Sequence, residues 1–398
     1  MRKRIHIIGV IGFLIVISFG FLGLIVGPDE QLITTLEQTS VVPFPDFRHR
    51  VNHENLRQLE FWWGQRIFGR GASLKGFVGL YYALGESAYP RQVVLGKDDW
   101  LFVGNNFGNS TDKVMGIAPA NINNINYYLS RTSRIHAHCS ANNIVFLYLI
   151  APNKEAIYPE FLPSWVKYAR PGIQAEQFLT EKARQHNLPV LNLKPVLLNA
   201  KNKITMPLYQ KQNSHWNFLG AFMGYHAMMM SLKKQNDNLR VLLDGKVDVN
   251  TPLSSDDDLR KMLLRVPAKA ENDNWPIRFG AIDKNQTYEL TIYTQLEQQR
   301  TNTPMPNVRR QVNRVEDELF IPITAEIYVM TNPNVLNKNR LLLIGDSFLE
   351  RMNPYLIATF NEIIRVNINI LQSPEHIIWL INQFRPNTVV VENVARSL

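Results

Sequence analysis

Uninterrupted apolar runs alternate along this chain with longer amphipathic stretches. Four of the runs predict buried strands, at Ile144–Ile150, Val190–Leu193, Leu341–Ile344 and Thr388–Val391. Aliphatic runs without polar alternation are typical of parallel strands that are covered on both faces. The stretches Pro119–Asn142 and Gly172–His186 have the spacing of helices, as does Leu349–Ile364. This order predicts an α/β fold with a parallel sheet flanked by helices, in which the four strands are neighbours and end at one edge.

Other patterns are more local. Two apolar runs around a Gly-Lys-Asp-Asp turn predict a hairpin over Val93–Val103, and an apolar stripe over Glu54–Phe68 predicts a helix in a stem of residues 27–88. Between about residues 233 and 338 the pattern is weaker, with strands expected at Tyr288–Thr294 and Phe320–Met330. We interpret 233–338 as an insertion within a domain of residues 89–398.

The amino end has a different character. Residues Ile5–Val26 contain no charged side chain, and 22 residues are enough to cross a bilayer as a helix. Arg2, Lys3 and Arg4 precede the run, which predicts a tail of residues 1–4 on the cytoplasmic side. A cleaved signal peptide is the competing interpretation, but the run is long and no small-residue cleavage site follows. We therefore expect a single-pass anchor in the inner (cytoplasmic) membrane, with the body of the protein in the periplasm or outside the cell.

Composition excludes several classes of function. The single cysteine, Cys139, excludes an internal disulfide framework, and no ligand set completes a metal site around Asp256-Asp257-Asp258, which is typical of an acidic first turn. We predict no metal and no cofactor. The net charge is +9, but basic runs with interleaved aromatic residues are missing, so nucleic acid is not an expected partner.

Two polar stretches carry candidate chemistry. Gly345-Asp346-Ser347-Phe348 directly follows a predicted buried strand, which places Ser347 at the strand's carboxyl end, where α/β sheets bind ligands. The alternative is that Asp346 or Ser347 only caps a helix. His215 lies in a polar loop before a second helix, and it is either a structural histidine or a general base. A serine and a histidine delivered to one edge are what acyl transfer requires.

At this point the sequence resembles the membrane-anchored polysaccharide O-acetyltransferases of the alginate O-acetylation type, which carry an SGNH-hydrolase-like domain. The resemblance covers roughly residues 90–398 apart from a poorly matching middle. Its motifs are Leu95–Phe102, Ala151-Pro152-Asn153-Lys154 with Tyr158-Pro159, Asn213-Ser214-His215-Trp216 with Gly220-Ala221, and Gly345-Asp346-Ser347-Phe348. The histidine block precedes the serine block, as in the permuted motif order of this family.

The resemblance implies a role for each matched residue. Ser347 is then the nucleophile, His215 the general base and Asn213 the third member of the triad. The remaining expected oxyanion or substrate residues are Asn393, Asp346, Lys154 and Trp216. For Lys154 the resemblance implies a contact with an anionic sugar, and the alternative is a solvated lysine at a strand end.

The chain departs from the family pattern at two places. The family has an aspartate where this chain has Asn213, so either a Ser-His dyad operates, another carboxylate such as Glu392 supports His215, or activity is reduced. No glycine occurs between Phe348 and Leu398, so the family's usual glycine donor to the oxyanion is missing. The Ser347 amide and Asn393 are then the expected donors.

Three functions from different classes follow. The first is an anchored O-acetyltransferase that moves an acetyl group through a serine acyl-enzyme to a cell-surface polysaccharide, with a multipass membrane acyltransferase as acetyl donor. The second is an SGNH-type carbohydrate esterase, and the third is a catalytically weak member that binds glycan or serves as a scaffold. Transfer and hydrolysis share one acyl-enzyme, so the sequence does not separate them.

Overall fold

The computed structural model describes residues 10–14, 18, 21, 23–30, 33, 40–48, 51–118, 120–166, 174–243, 245–247, 257–266, 272–278, 287–293, 309–314, 327–371 and 373–398. It divides the chain into two compact units. The first unit comprises Met1–Leu95 and Asp257–Ala270, and the second comprises Gly96–Asp256 and Glu271–Leu398. The predicted anchor over Ile5–Val26 lies partly outside the described residues. Asp256 lies outside them as well.

Helices and strands alternate along the described chain. The α-helices are α1 (Gly23–Val26), α2 (His53–Gly64), α3 (Arg70–Ala83), α4 (Ser110–Val114), α5 (Ile122–Ala141), α6 (Lys154–Ile157), α7 (Ala175–Gln185), α8 (Lys194–Lys201), α9 (Phe218–Gln235), α10 (Asp258–Met262), α11 (Asn353–Thr359) and α12 (Pro374–Phe384). The strands are β1 (Val93–Leu95), β2 (Leu101–Val103), β3 (Val145–Ala151), β4 (Val190–Asn192), β5 (Lys246–Val247), β6 (Ile277–Arg278), β7 (Thr287–Tyr293), β8 (Arg309–Arg314), β9 (Ile327–Thr331), β10 (Asn337–Gly345), β11 (Phe360–Asn367) and β12 (Thr388–Val394). Short 3-10 helices lie at Pro159–Phe161, Ser347–Met352, Ile368–Ile370 and Ala395–Ser397.

In the first unit, α2 begins at an asparagine cap. The Asn52 side chain accepts a hydrogen bond from the Asn55 amide, which satisfies one of the free N–H groups at the start of the helix. The predicted helix over Glu54–Phe68 is thus confirmed with an earlier end, at Gly64. Within the described residues, no helix is long and apolar enough to cross a membrane.

The second unit is built around an eight-stranded sheet with the order β4-β3-β12-β10-β11-β9-β7-β8. The four strands expected from the apolar runs are neighbours and pair in parallel, and β11 adds a fifth parallel strand. Strands β9, β7 and β8 then pair antiparallel, so the sheet is mixed, whereas the sequence analysis expected a parallel one. Strand β7 corresponds to the strand expected at Tyr288–Thr294, and β9 corresponds to the end of the strand expected at Phe320–Met330. Thr294 and residues 320–326 lie outside the described residues. Both strands extend the central sheet at one side.

One predicted helix is partly wrong. The expected helix over Leu349–Ile364 is helical only as far as Thr359, and Phe360 begins strand β11. The strand forms because β11 pairs on one side with β10 and on the other with β9, and these pairings outweigh the local helical spacing.

Helices cover both faces of the sheet. On one face the core side chains of the central strands pack with apolar residues of α5, α7 and α12, and the single cysteine is buried there. Helices α9 and α11 lie on the other face, where Tyr225 and Tyr355 are buried with ring centroids 5.6 Å apart. This arrangement leaves the carboxyl ends of β3, β10 and β12 together at one edge of the sheet.

Candidate active site

Ser347 lies at the carboxyl end of the central strand β10. The strand ends at Gly345, and the Asp346 side chain then accepts a hydrogen bond from the Phe348 amide at 2.9 Å, which caps the 3-10 helix that begins at Ser347. Asp346 therefore has the capping role considered from the sequence. Ser347 itself is exposed, so its hydroxyl is open to a ligand.

The loop between α8 and α9 carries His215 to the same edge. The imidazole Nε2 lies 2.7 Å from Ser347 Oγ, and Nδ1 lies 2.8 Å from Asn213 Oδ1. The His215 backbone amide also donates to Asn213 Oδ1, at 2.8 Å, which fixes that atom as the amide's oxygen. Because this oxygen accepts from Nδ1–H, Nε2 is left without a proton and accepts one from the serine hydroxyl. The Ser347–His215–Asn213 row thus has the geometry of a nucleophile, a base and an orienting group.

Lys154 supports the loop between α8 and α9 that carries His215, here called the histidine loop. Its ammonium group donates to the carbonyls of Gln210, Lys211 and Asn213 at 3.1, 3.0 and 2.7 Å, and the side chain is 1% exposed. An ammonium group has three hydrogens, and these three carbonyls match them. The position of Lys154 therefore favours a structural role over the sugar contact or the solvated strand end considered from the sequence.

Trp216 is a supporting residue of the same kind. It is fully buried, and its indole Nε1 donates to the Phe348 carbonyl at 2.8 Å, so it ties the histidine loop to the turn that carries Ser347. The Phe348 ring lies 4.9 Å from the His215 ring and 5.2 Å from Trp216. Trp216 was expected at a substrate position, but its burial places it behind the site.

Glu392 lies under the serine turn and not behind His215. Its Oε2 accepts a hydrogen bond from the Asp346 amide at 3.0 Å, while its Oε1 is buried without a partner among the described residues. Complete burial, followed by the nearby charge of Asp346, raises the pKa of Glu392 well above its ordinary value. The hypothesis that Glu392 is the carboxylate supporting His215 is therefore wrong.

Asn393 lies at the end of β12, next to the serine turn. Its Oδ1 accepts a hydrogen bond from the Tyr148 hydroxyl at 2.7 Å, and this contact orients the amide so that Nδ2 remains as a donor. Asp346 Oδ2 accepts from the neighbouring Val394 amide at 3.0 Å, which joins the ends of β10 and β12. Asn393 thus stays a candidate donor to an oxyanion.

Comparison with known proteins agrees with this geometry. Residues 93–275 match the family model described as SGNH hydrolase-like domain, acetyltransferase AlgX. Residues 93–275 are therefore similar to the acetyltransferase domain of the AlgX family. The matched residues include His215 and Asn213 but end before Ser347. A search of curated proteins finds no match to this sequence.

Solved structures show a related fold. Bacillus cereus PatB1 with a sulfonyl adduct superposes with a TM-score of 0.51 at 16% sequence identity, covering 76% of this chain and 93% of that one. The O-acetyltransferase domain of Pseudomonas putida AlgJ gives 0.42 at 16% identity, covering 77% and 91%. Pseudomonas aeruginosa AlgX gives 0.44 at 13% identity, covering 77% and 63%. At these identities the PatB1 likeness shows a shared fold and not a shared activity.

Within the described residues, no group of three or more potential metal ligands is found. One buried residue beside the site, Arg365, was not predicted from the sequence; it donates to the carbonyls of Gly345 and Asp346. A charged residue inside the aliphatic run Ile363–Val366 is the sequence signal that could have revealed it.

Proposed function

We propose that this protein is a membrane-anchored, extracytoplasmic O-acetyltransferase that acetylates a cell-surface polysaccharide through an acyl-enzyme on Ser347. The contact of 2.7 Å between Ser347 Oγ and His215 Nε2 carries the proposal, together with the 2.8 Å contact from His215 Nδ1 to Asn213. The AlgX-like domain supports acetyl transfer as the reaction class. A multipass membrane acyltransferase is the proposed acetyl donor.

The reaction follows from this row of atoms. His215 Nε2 takes the hydroxyl proton as Ser347 Oγ attacks the acetyl carbonyl, and the proton then passes to the leaving group of the donor. In the second half, His215 takes the proton of a sugar hydroxyl, which attacks the acetyl-serine and releases the acetylated sugar. The proton on Nε2 returns to Ser347. Asn213 keeps the imidazole in the required tautomer throughout.

Hydrolysis is the second candidate, because Ser347 is exposed and water reaches the same acyl-enzyme. The structure would then act as an SGNH-type carbohydrate esterase, with water in place of the sugar. A glycan-binding or scaffold role is the remaining alternative, and it rests on Asn213, which brings no charge to the imidazole.

The test uses the full chain with a small acetyl ester and candidate oligosaccharide acceptors. Wild-type protein should gain one acetyl group on Ser347 and pass it to a sugar, while Ser347→Ala should show neither step. His215→Ala should lose nearly as much, because members of a catalytic unit are not additive. Ser140→Ala is the matched control, since this exposed serine lies at the end of α5, at the opposite edge of the sheet.

Three outcomes distinguish the candidates. Acetylated sugar supports transfer, whereas ester loss without acetylated sugar supports the esterase. A folded wild-type protein that forms no acetyl-serine would refute both and support the binding or scaffold role.

A further inference from the structure

Arg365 is a buried cation, and packing alone does not explain why a charged residue occupies this position. It lies in the middle of β11 and is 3% exposed. Among the described residues its hydrogen bonds all go to backbone carbonyls, and it forms no ion pair with a carboxylate. Burying an unpaired charge costs several kcal/mol, on the order that would favour an apolar residue here. Its hydrogen bonds therefore need a functional explanation.

Those hydrogen bonds converge on the turn that leads into Ser347. One terminal nitrogen of Arg365 donates to the Gly345 carbonyl at 2.9 Å, and also to Val366, while the other donates to the Asp346 carbonyl. From the opposite strand, Glu392 accepts the Asp346 amide at 3.0 Å. The peptide between Gly345 and Asp346 is thus held at both its oxygen and its N–H.

Close packing at Gly345 also restricts the turn between β10 and Ser347. A Cβ atom at Gly345 would lie 2.5 Å from Glu392 Oε2 and 2.5 Å from Leu349 Cδ1. Since real Cβ atoms essentially never show such contacts, the strand end and Glu392 pack as closely as a glycine allows. Arg365 from β11 and Glu392 from β12 therefore enclose the end of β10 from its two sides.

The next peptide, between Asp346 and Ser347, has its oxygen held by Arg365. In a planar trans peptide the C=O and N–H bonds point in opposite directions, so the Ser347 N–H is directed away from the guanidinium. The N–H of the next residue, Phe348, already donates a hydrogen bond to Asp346 Oδ1. In the part of the chain that the structure describes, no acceptor is paired with the Ser347 N–H.

We propose that Arg365 is a positioning residue that aims the Ser347 N–H at the oxyanion formed when Ser347 Oγ attacks an acetyl carbonyl. A positive charge at the oxygen end of this peptide also polarises it, which makes its N–H a stronger donor. A preorganised donor of this kind stabilises the transition state more than the bound ester. The inference rests on the proposed acyl-enzyme chemistry and adds the residue that organises it.

The test compares Arg365→Gln and Arg365→Lys with Arg340→Gln in the full chain. Arg340 is a matched control because it also lies in this sheet and donates to a backbone carbonyl, that of Phe384 at 2.6 Å, but near the opposite edge. Each variant is assayed for kcat and KM on a small acetyl ester. Affinity for a trifluoromethyl ketone, which forms a tetrahedral serine adduct, and thermal stability are measured in parallel.

Arg365→Gln should lower kcat about 100-fold, as expected for a lost oxyanion donor, with KM changed only a few-fold. Its affinity for the ketone should fall by a factor similar to that in kcat/KM. Arg365→Lys keeps the charge but replaces the planar pair of guanidinium nitrogens with one ammonium nitrogen on a shorter side chain, so it should recover part of both. Arg340→Gln should lower stability while leaving kcat and ketone affinity near those of the wild type.

Two results would overturn the proposal. In the first, a folded Arg365 variant keeps full kcat and ketone affinity. In the second, Arg365 and Arg340 variants lose activity in the same proportion to their lost stability, which a merely structural role would produce. If Arg365→Gln does not fold, Arg365→Lys decides on the same readouts. An absence of acetyl-serine in the wild type would instead refute the proposed function.

Discussion

At the scale of single residues, Asn213 sets the character of this site. Its amide oxygen orients the imidazole as a carboxylate would, but it brings no negative charge to stabilise the imidazolium that forms in the transition state. Lys154 Nζ already lies 2.7 Å from the Asn213 carbonyl, so a carboxylate at this position would have a cation close by. The ammonium group of Lys154 would therefore favour the negative charge of an aspartate at position 213.

We therefore expect Asn213→Asp to raise turnover of a small acetyl ester by roughly tenfold or more, because the carboxylate would stabilise the charged imidazole. Asn213→Ala is the control, and it should fall below the wild type since it leaves Nδ1 without an orienting acceptor. Steady-state kinetics on all three proteins provides the measurement. A turnover in Asn213→Asp equal to or below that of the wild type would show that charge at this position does not limit the reaction.

A second prediction at the residue scale concerns the pKa of Glu392 and its effect on stability. Its pKa is raised in the folded protein by burial and by the charge of Asp346. A raised carboxyl pKa means that the folded state binds a proton that the unfolded state has released. Its contribution to stability is therefore fully present below the unfolded pKa of about 4.5 and is lost as pH rises towards the folded value.

Glu392→Gln should remove this dependence, because an amide oxygen can accept the Asp346 N–H without titrating. In thermal unfolding measured from about pH 5 to about pH 8, the melting temperature of the variant should increase relative to that of the wild type as pH rises. A difference in melting temperature that is the same at every pH would contradict the predicted titration of Glu392.

At the scale of elements, the site depends on how a loop is held against a strand end. Lys154, at the start of α6, donates three hydrogen bonds to backbone carbonyls of the histidine loop. Trp216 adds the link to the Phe348 carbonyl. The distance from base to nucleophile is thus set by side chains that never touch the substrate.

Lys154→Met should destabilise the protein by about 2–4 kcal/mol, because it leaves buried carbonyls without donors. It should also lower kcat, since the loop that carries His215 loses its support. Lys203→Met, at an exposed lysine, is the matched control and should change neither quantity. Chemical denaturation and ester kinetics measure the two effects, and full activity in a folded Lys154→Met protein would refute this role.

The same scale shows what the sequence could and could not reveal. Strands β3, β10 and β12 were predictable because each contains an aliphatic run that is covered on both faces. Strand β4 was also predicted, but it is only half-buried, at the edge of the sheet. Strand β11 was not predictable, since no glycine or proline marks its start after Thr359 and only pairing with β10 and β9 selects the strand. Ser347 and His215 were predicted from short motifs, and the structure brings them together. The burial of Lys154 and the convergence of Arg365 on the serine turn depend on packing across strands, which short motifs do not contain.

At the scale of the whole molecule, charge and apolar character are unevenly distributed along the sequence. The second unit places the candidate site at one edge of its sheet, whereas the amino end of the sequence carries the apolar run Ile5–Val26. If the proposed function is correct, an acetyltransferase that receives its acetyl group from a membrane protein gains from being held at the membrane. Anchoring raises the effective concentration of one partner at the other.

We expect the protein to fractionate with membranes and its folded part to be cleaved by protease added to spheroplasts, because the basic residues before the run favour an amino end inside. Ile15→Lys is the informative variant, since a lysine at the centre of a membrane helix costs about 3 kcal/mol on insertion. It should shift protein into the soluble fraction, whereas Lys3→Arg, which preserves the charge, should not. A mature protein that lacks residues 1–26, or one protected from external protease, would refute the predicted anchor and leave the chemistry at Ser347 to be judged on its own assay.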